Sequence, residues 1–120
     1  MDLINKLQIK ADMAGTVIDQ PPGVALGLEN SRRRKDLDFV VVFAKRASDV
    51  SKKCGPALAR LKEDGLAWFC YPKKSSGLFV DLSRDEGWEP LSDRGYRGVR
   101  QIAIDETWSA LRFRKKDLVG

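Results

Sequence analysis

Apolar residues fall into short runs separated by polar, glycine- and proline-rich stretches, and two of the runs are continuous. Phe39-Val40-Val41-Val42-Phe43-Ala44 is unbroken and β-branched, the pattern of a strand covered on both faces. Leu66-Ala67-Trp68-Phe69-Cys70-Tyr71 is a second such strand, stopped by Pro72. Between them Val50, Cys54, Leu58 and Leu61 recur at helical spacing, which predicts a helix capped by Ser48. Pro56 lacks a backbone donor, so Gly55-Pro56 should kink that helix or open a second segment. Gly65 falls where a helix C-terminal glycine belongs. A strand–helix–strand unit of this kind predicts parallel strands joined by a right-handed crossover.

The flanks are shorter. Residues 2–9 place Leu3, Ile4 and Leu7 on one helical face, and Ala14 to Asp19 reads as a brief strand. Gln20-Pro21-Pro22-Gly23 breaks it, and Val24 to Leu28 adds one helical turn. Glu29 to Asp38 is a polar surface connection carrying Arg32-Arg33-Arg34-Lys35. Ser83-Arg84-Asp85-Glu86 fits a capping box that opens a further helix. Val99 to Asp105 and Ser109 to Arg114 are strand-like, and the corner Asp105-Glu106-Thr107-Trp108 is so short that they must pair antiparallel. The sum is an α/β fold, one domain over residues 1–120 in three layers. Its open sheet has about five strands, mostly parallel with an antiparallel C-terminal hairpin, and helices on both faces.

Composition narrows the function. With 120 residues, 22 Lys+Arg and 17 Asp+Glu, the chain can build one core and carries a net charge of +5. No apolar run approaches the ~20 residues of a membrane span, and the first residues lack a signal-peptide layout. These features predict a cytoplasmic protein without a membrane partner. Cys54 and Cys70 are too few for a disulfide scaffold and fall in core patterns. The absence of histidine excludes Ser-His-Asp and Cys-His catalysis and His-ligated metal, and no metal ligand set is predicted.

The most suggestive polar stretch is Pro72-Lys73-Lys74-Ser75-Ser76-Gly77, at the carboxyl end of a buried strand where open α/β sheets bind ligands. Two ammonium groups, two hydroxyls and a glycine offer an anion cradle; a solvated turn is the competing reading. Asp19, ending the first strand, offers an acceptor for a ribose or amine, or a cap for the proline turn. Asp105 and Glu106 are adjacent carboxylates, but sequence neighbours on a strand face opposite ways. A hairpin turn with Trp108 covering the core therefore outweighs an acid/base pair. Arg32 to Lys35, with a second patch at Arg112, Arg114, Lys115 and Lys116, offers phosphate contacts. No exposed stacking aromatic accompanies either patch, which argues against a nucleic-acid partner.

Two longer stretches, WFCYPKKSSGLFVDLSRD (Trp68 to Asp85) and AIDETWSALRFRKK (Ala103 to Lys116), resemble an uncharacterised bacterial family known only as a domain of unknown function. The resemblance covers Leu3 to Lys116, with Pro-Lys-Lys-Ser-Ser-Gly and Asp-Glu-Thr-Trp-Ser as signatures. It implies a small, truncated Rossmann-like fold of methyltransferase type and brings no established activity. A looser likeness is to S-adenosylmethionine-dependent methyltransferases. Thr16-Val17-Ile18-Asp19 resembles their first strand, leading into the glycine-rich cofactor loop. Here the loop reads Gln20-Pro21-Pro22-Gly23, where prolines remove N–H donors that glycines would bring close to the cofactor.

Three functions follow in order of preference. The first is a non-catalytic or regulatory Rossmann-like protein holding a small anionic metabolite with Lys73, Lys74, Ser75, Ser76 and Gly77, beside Asp19 and Trp108. The second is a degenerate methyltransferase with Asp19 near S-adenosylmethionine. The third is a nucleic-acid or acidic-partner binder working through Arg32 to Lys35. The residues name no cofactor. The terminal hairpin offers an edge for a homodimer.

Overall fold

Val40, Val41 and Val42 are completely buried, as a β-branched run covered on both faces must be. In the computed structural model, which describes residues 3–119, they form the middle of β2 (Leu37–Phe43). β2 lies between β1 (Gly15–Ile18) and β3 (Leu61–Pro72) and is parallel to both. β5 (Trp108–Lys115) runs antiparallel to β3, and β4 (Tyr96–Ala103) pairs antiparallel on its outside. The order β1-β2-β3-β5-β4 therefore carries two parallel pairings followed by two antiparallel ones, a mixed α/β sheet.

Alternation divides the core. Val40, Val42, Phe69 and Tyr71 face α2 (Ala47–Ala59) and α3 (Glu89–Asp93), which contribute Val50, Cys54, Ala57 and Leu91. Phe39, Val41, Trp68 and Cys70 face the other way, against Leu7, Ile9, Val24 and Leu26. That second layer is mostly irregular chain. Its helix, α1 (Leu3–Lys6), has four residues and stops before Gln8, whose φ is +61°. The helix expected over residues 2–9 is thus shorter, and Asp2 lies outside the described residues. Val24 to Leu28 form no helical turn; Val24 and Leu26 are buried alternately with exposed Ala25 and Gly27, the period of extended chain. Among the described residues no helix is long and apolar enough to cross a membrane.

Four helix signals read differently in three dimensions. α2 begins one residue before Ser48, and its first turn is held by Asp49, whose Oδ2 accepts the Lys45 and Arg46 N–H groups at 3.0 and 3.2 Å. Pro56 lies inside this single helix on its exposed side, because the buried Val50–Cys54–Ala57 stripe holds both halves. Gly65 is a strand residue: β3 starts at Leu61, and the register slips between Leu37–Leu61 and Phe39–Leu66. A Cβ at Gly65 would press on the Leu61 side chain and lie 3.1 Å from the Asp38 carbonyl oxygen, so close approach rather than helix termination selects glycine. Ser83 and Glu86 exchange backbone hydrogen bonds at 3.1 and 3.4 Å in a tight turn instead of capping a helix. α3 starts later, at Glu89, with Pro90 in its first turn, where a missing N–H costs nothing.

Asp38 ties β1 to the start of β2. Its Oδ2 accepts the Ala14 N–H at 2.8 Å, its own N–H donates to the Ala14 carbonyl at 2.7 Å, and Oδ1 pairs with Lys62 Nζ at 2.7 Å. Hydrogen bonding from Lys62, then from Ala14, holds this carboxyl below the ordinary aspartate range against a desolvation cost. A depressed folded pKa stabilises the fold above the unfolded value of about 4 and loses that contribution as pH falls through the lower folded value. Asp38→Asn is expected to flatten the acid limb of a stability–pH profile there. An unchanged limb in urea titrations between about pH 5 and pH 2 would contradict this role.

Candidate functional site

The parallel strands deliver Asp19, Ala44 and Pro72 to one rim, and β5 starts there because Trp108 pairs with Pro72. Two clefts open along it. One, of about 290 Å³, is lined by Tyr71, Ser109 and Gln101, by Lys73, Lys74 and Arg84, and by Ser83 and the Asp85 carboxylate. The other, of about 340 Å³, is lined by Asp19, Pro21, Pro22, Lys45, Lys53 and Trp108, together with Phe43.

The floor of the first cleft is polar and buried. Tyr71 and Ser109 are cross-strand partners on the α2–α3 face, 3% and 4% exposed. Gln101 Nε2 donates to the Tyr71 hydroxyl oxygen at 2.7 Å, and the Ser109 and Tyr71 hydroxyls are hydrogen-bonded to each other. Burial pushes the phenol above its ordinary value, with Ser109 and Arg84 opposing. At neutral pH the hydroxyl is therefore protonated. A single bond joins the Tyr71 and Ser109 hydroxyls and uses one of their two hydrogens, so the other hydrogen of the pair remains for an acceptor in the cleft. Lys73, Lys74 and Arg84 line the same cleft, and among the described residues Asp85 is the one lining carboxylate.

The expected ligand residues are divided between the clefts. Lys73 and Lys74 line the first; Asp19 and Trp108 line the second, on the opposite face of the sheet. Ser75, Ser76 and Gly77 line neither cleft. Lys74–Ser76 form one 3-10 turn in which Ser76 Oγ donates to the Lys73 carbonyl at 2.7 Å and accepts the Leu78 N–H at 3.1 Å. Gly77 ends the turn at φ +81°, a left-handed conformation that favours glycine. Lys73 Nζ donates to the Asp105 carbonyl at 2.6 Å and its N–H to the Thr107 carbonyl at 2.8 Å, joining the lysine turn to the β4–β5 corner. Lys74 Nζ pairs loosely with Glu86 at 3.7 Å and lies 5.3 Å above the Phe79 ring.

Trp108 is 4% exposed and meets Phe43 edge-on at 5.2 Å. Asp19 pairs with Lys53 Nζ at 2.8 Å, and the same ammonium donates to the Phe43 carbonyl at 2.7 Å. Asp105 is occupied by the corner: its Oδ1 accepts the Thr107 and Trp108 N–H groups at 2.8 and 2.7 Å, so it is no partner for Glu106 in proton transfer. Both cysteines are buried and free, and burial pushes the Cys70 thiol far up, away from nucleophilic use. Among the described residues no group of three His, Cys, Asp or Glu side chains is placed to hold a metal ion. Arg32 to Lys35 lie largely exposed on the connection, tied down by the Arg60 guanidinium, which reaches the Arg33 and Arg34 carbonyls at 3.4 Å.

No protein-family model matches the chain, and no curated protein does. Among solved structures it is similar to a "putative type 11 methyltransferase" from Sulfolobus solfataricus, with 13% identity over 74% of this chain and 56% of that one and a TM-score of 0.54. The likeness is one of fold. The sheet described above is a Rossmann-like, methyltransferase-like α/β sheet. Further matches are a SAM-dependent methyltransferase from Aquifex aeolicus (17% identity, 92% and 58% of the two chains, TM-score 0.39) and the fibrillarin/Nop5p complex (9%, 68% and 41%, TM-score 0.45). The chain thus spans 41–58% of the length of these structures.

A nucleoside cofactor of the S-adenosylmethionine type is what such a fold implies, and the turn after β1 does not fit it. Pro21 and Pro22 present no N–H groups, and Gln20 Nε2 is turned back onto the Val24 carbonyl at 2.6 Å. Asp19 is paired with Lys53, and the chain enters β2 without forming another strand that would carry a ribose-binding carboxylate.

Proposed function

We propose that this chain is a small Rossmann-like binding protein, non-catalytic or regulatory, that holds an anionic metabolite in the cleft over Tyr71 and Ser109. The observation that carries this reading is that three cationic residues, Lys73, Lys74 and Arg84, line one cleft with the buried Tyr71–Ser109 hydroxyl pair. A phosphate or carboxylate oxygen would accept from that pair and from the flanking ammonium and guanidinium groups. The place agrees with the general rule that open α/β sheets bind ligands outside the carboxyl ends of their strands.

Calorimetry with inorganic phosphate and a panel of small di- and tricarboxylates is expected to give saturable binding for at least one of them. Lys73→Ala with Lys74→Ala should weaken it on the order of tenfold or more, since a hydrogen bond to a charged group contributes about 1.5–3 kcal/mol. Tyr71→Phe should weaken it without changing the salt dependence. S-adenosylmethionine belongs in the same panel. Stabilisation by that cofactor, with no response to any anion, would replace this reading with the methyltransferase-like alternative.

A further inference from the structure

The outer hairpin carries a like-charge arrangement that strand pairing does not require. Register sets Arg97 directly opposite Arg114 and Arg100 directly opposite Arg112. Opposite residues of an antiparallel pair share a face, with Cβ atoms about 5 Å apart. Arg97 and Arg100 are three apart and would face opposite ways on a regular strand. The register shift at Val99 brings both to the face of Arg112 and Arg114. Four guanidiniums thus form two rungs on the sheet face that carries Trp108 and Ala110.

Little neutralises them. Arg114 makes a two-pronged pair with Asp64 at 2.8 Å for each bond. Among the described residues that is the one ion pair the four make. Arg112 Nη1 donates to the uncharged Gln8 side chain at 3.1 Å, and its Nε is buried with no hydrogen-bond partner. Burial, followed by the positive charge of Arg114, holds the Arg112 guanidinium below its ordinary range; Asp64 opposes this and Arg100 adds to it. Like charges directly opposite destabilise a hairpin, so the arrangement costs stability that a neutral rung would not.

We propose that this arginine face binds the phosphate backbone of a nucleic-acid duplex. Guanidinium forks match phosphate oxygens in pairs, and two rungs of them match a polyanion rather than a single small anion. Trp108 is buried beside the ladder, and among the described residues the face exposes no aromatic ring on which unpaired bases would stack. Contacts are therefore to the backbone, sequence-independent, and governed by counterion release. This surface is separate from the Tyr71 cleft, which lies on the other face of the sheet, and from the basic run on the β1–β2 connection.

The test is duplex DNA binding by fluorescence anisotropy between about 50 and 200 mM salt. Wild type should bind at low salt and weaken steeply as salt rises. Arg97→Gln with Arg100→Gln should lower the slope of log affinity against log salt by about two. The same variant should keep or raise the thermal midpoint, because repulsion is relieved. Arg32→Gln with Lys35→Gln removes the same charge from the connection and should bind as wild type does. The proposal is overturned by absence of salt-sensitive binding or by equal losses in the two variants. A lowered midpoint in the Arg97/Arg100 variant would make these guanidiniums structural and overturn it as well. So would tighter binding to polyglutamate or to phosphatidylglycerol vesicles than to the duplex, which would assign the face to an acidic protein or a membrane.

Discussion

Trp68→Ala is expected to remove about 3–5 kcal/mol of stability, a large part of the roughly 5–15 kcal/mol typical of a domain. Trp68 sits on the central strand β3, completely buried between Phe39, Val41 and the N-terminal segment. Its Nε1–H donates to the Leu7 carbonyl at 3.0 Å, across 61 residues of chain. Truncation therefore opens a large cavity and frees the segment that covers this face of the sheet. Trp68→Phe separates the two effects: it keeps most of the ring and leaves the Leu7 carbonyl without its donor, at about 1–3 kcal/mol. Urea unfolding of the pair measures both. A loss below 1 kcal/mol for the alanine variant would mean that the N-terminal segment does not seal this face.

Pro56→Ala should have the opposite sign. Pro56 is the tenth residue of α2 and is exposed, so its ring contributes no core packing. It deprives the Lys52 carbonyl of its helical donor and crowds that carbonyl, a cost of about 3 kcal/mol in a helix interior. Against this stands the unfolded-state freedom that alanine restores, about 0.4–1 kcal/mol. The net gain is about 2 kcal/mol, or a thermal midpoint raised on the order of 8 °C. A lowered midpoint would show that the proline is needed where it stands.

How far the fold was legible depended on how local each signal was. The valine run of β2 and the Leu66 to Tyr71 run announce themselves because burial on both faces leaves no polar alternation, and Asp105 to Trp108 is too short for anything but a hairpin. The helix signals failed where tertiary contacts outbid them. Gly65 answers to the Asp38 carbonyl, and Ser83–Glu86 to a backbone bridge closed beside Trp88, whose Nε1 donates to the Ser83 carbonyl at 2.7 Å. Of the candidate site, Lys73 and Lys74 were visible because they follow a strand end. Tyr71 offered one further signal, a hydroxyl at the last apolar position before Pro72. Its partners Ser109 and Gln101 depend on cross-strand register, which one sequence does not display. The arginine face was hidden for the same reason: without the shift at Val99, Arg97 and Arg100 read as facing opposite ways.

The most direct test of the ligand cleft is a two-dimensional NMR titration of the folded protein with inorganic phosphate, up to about 10 mM, ten times a millimolar dissociation constant. Saturable shifts centred on the Gln101 side-chain amide and the Lys73, Lys74, Arg84 and Ser109 backbone amides are predicted, and they should vanish in Lys73→Ala with Lys74→Ala. Shifts that never saturate, or that gather on Asp19, Lys53 and Trp108 instead, would contradict the account.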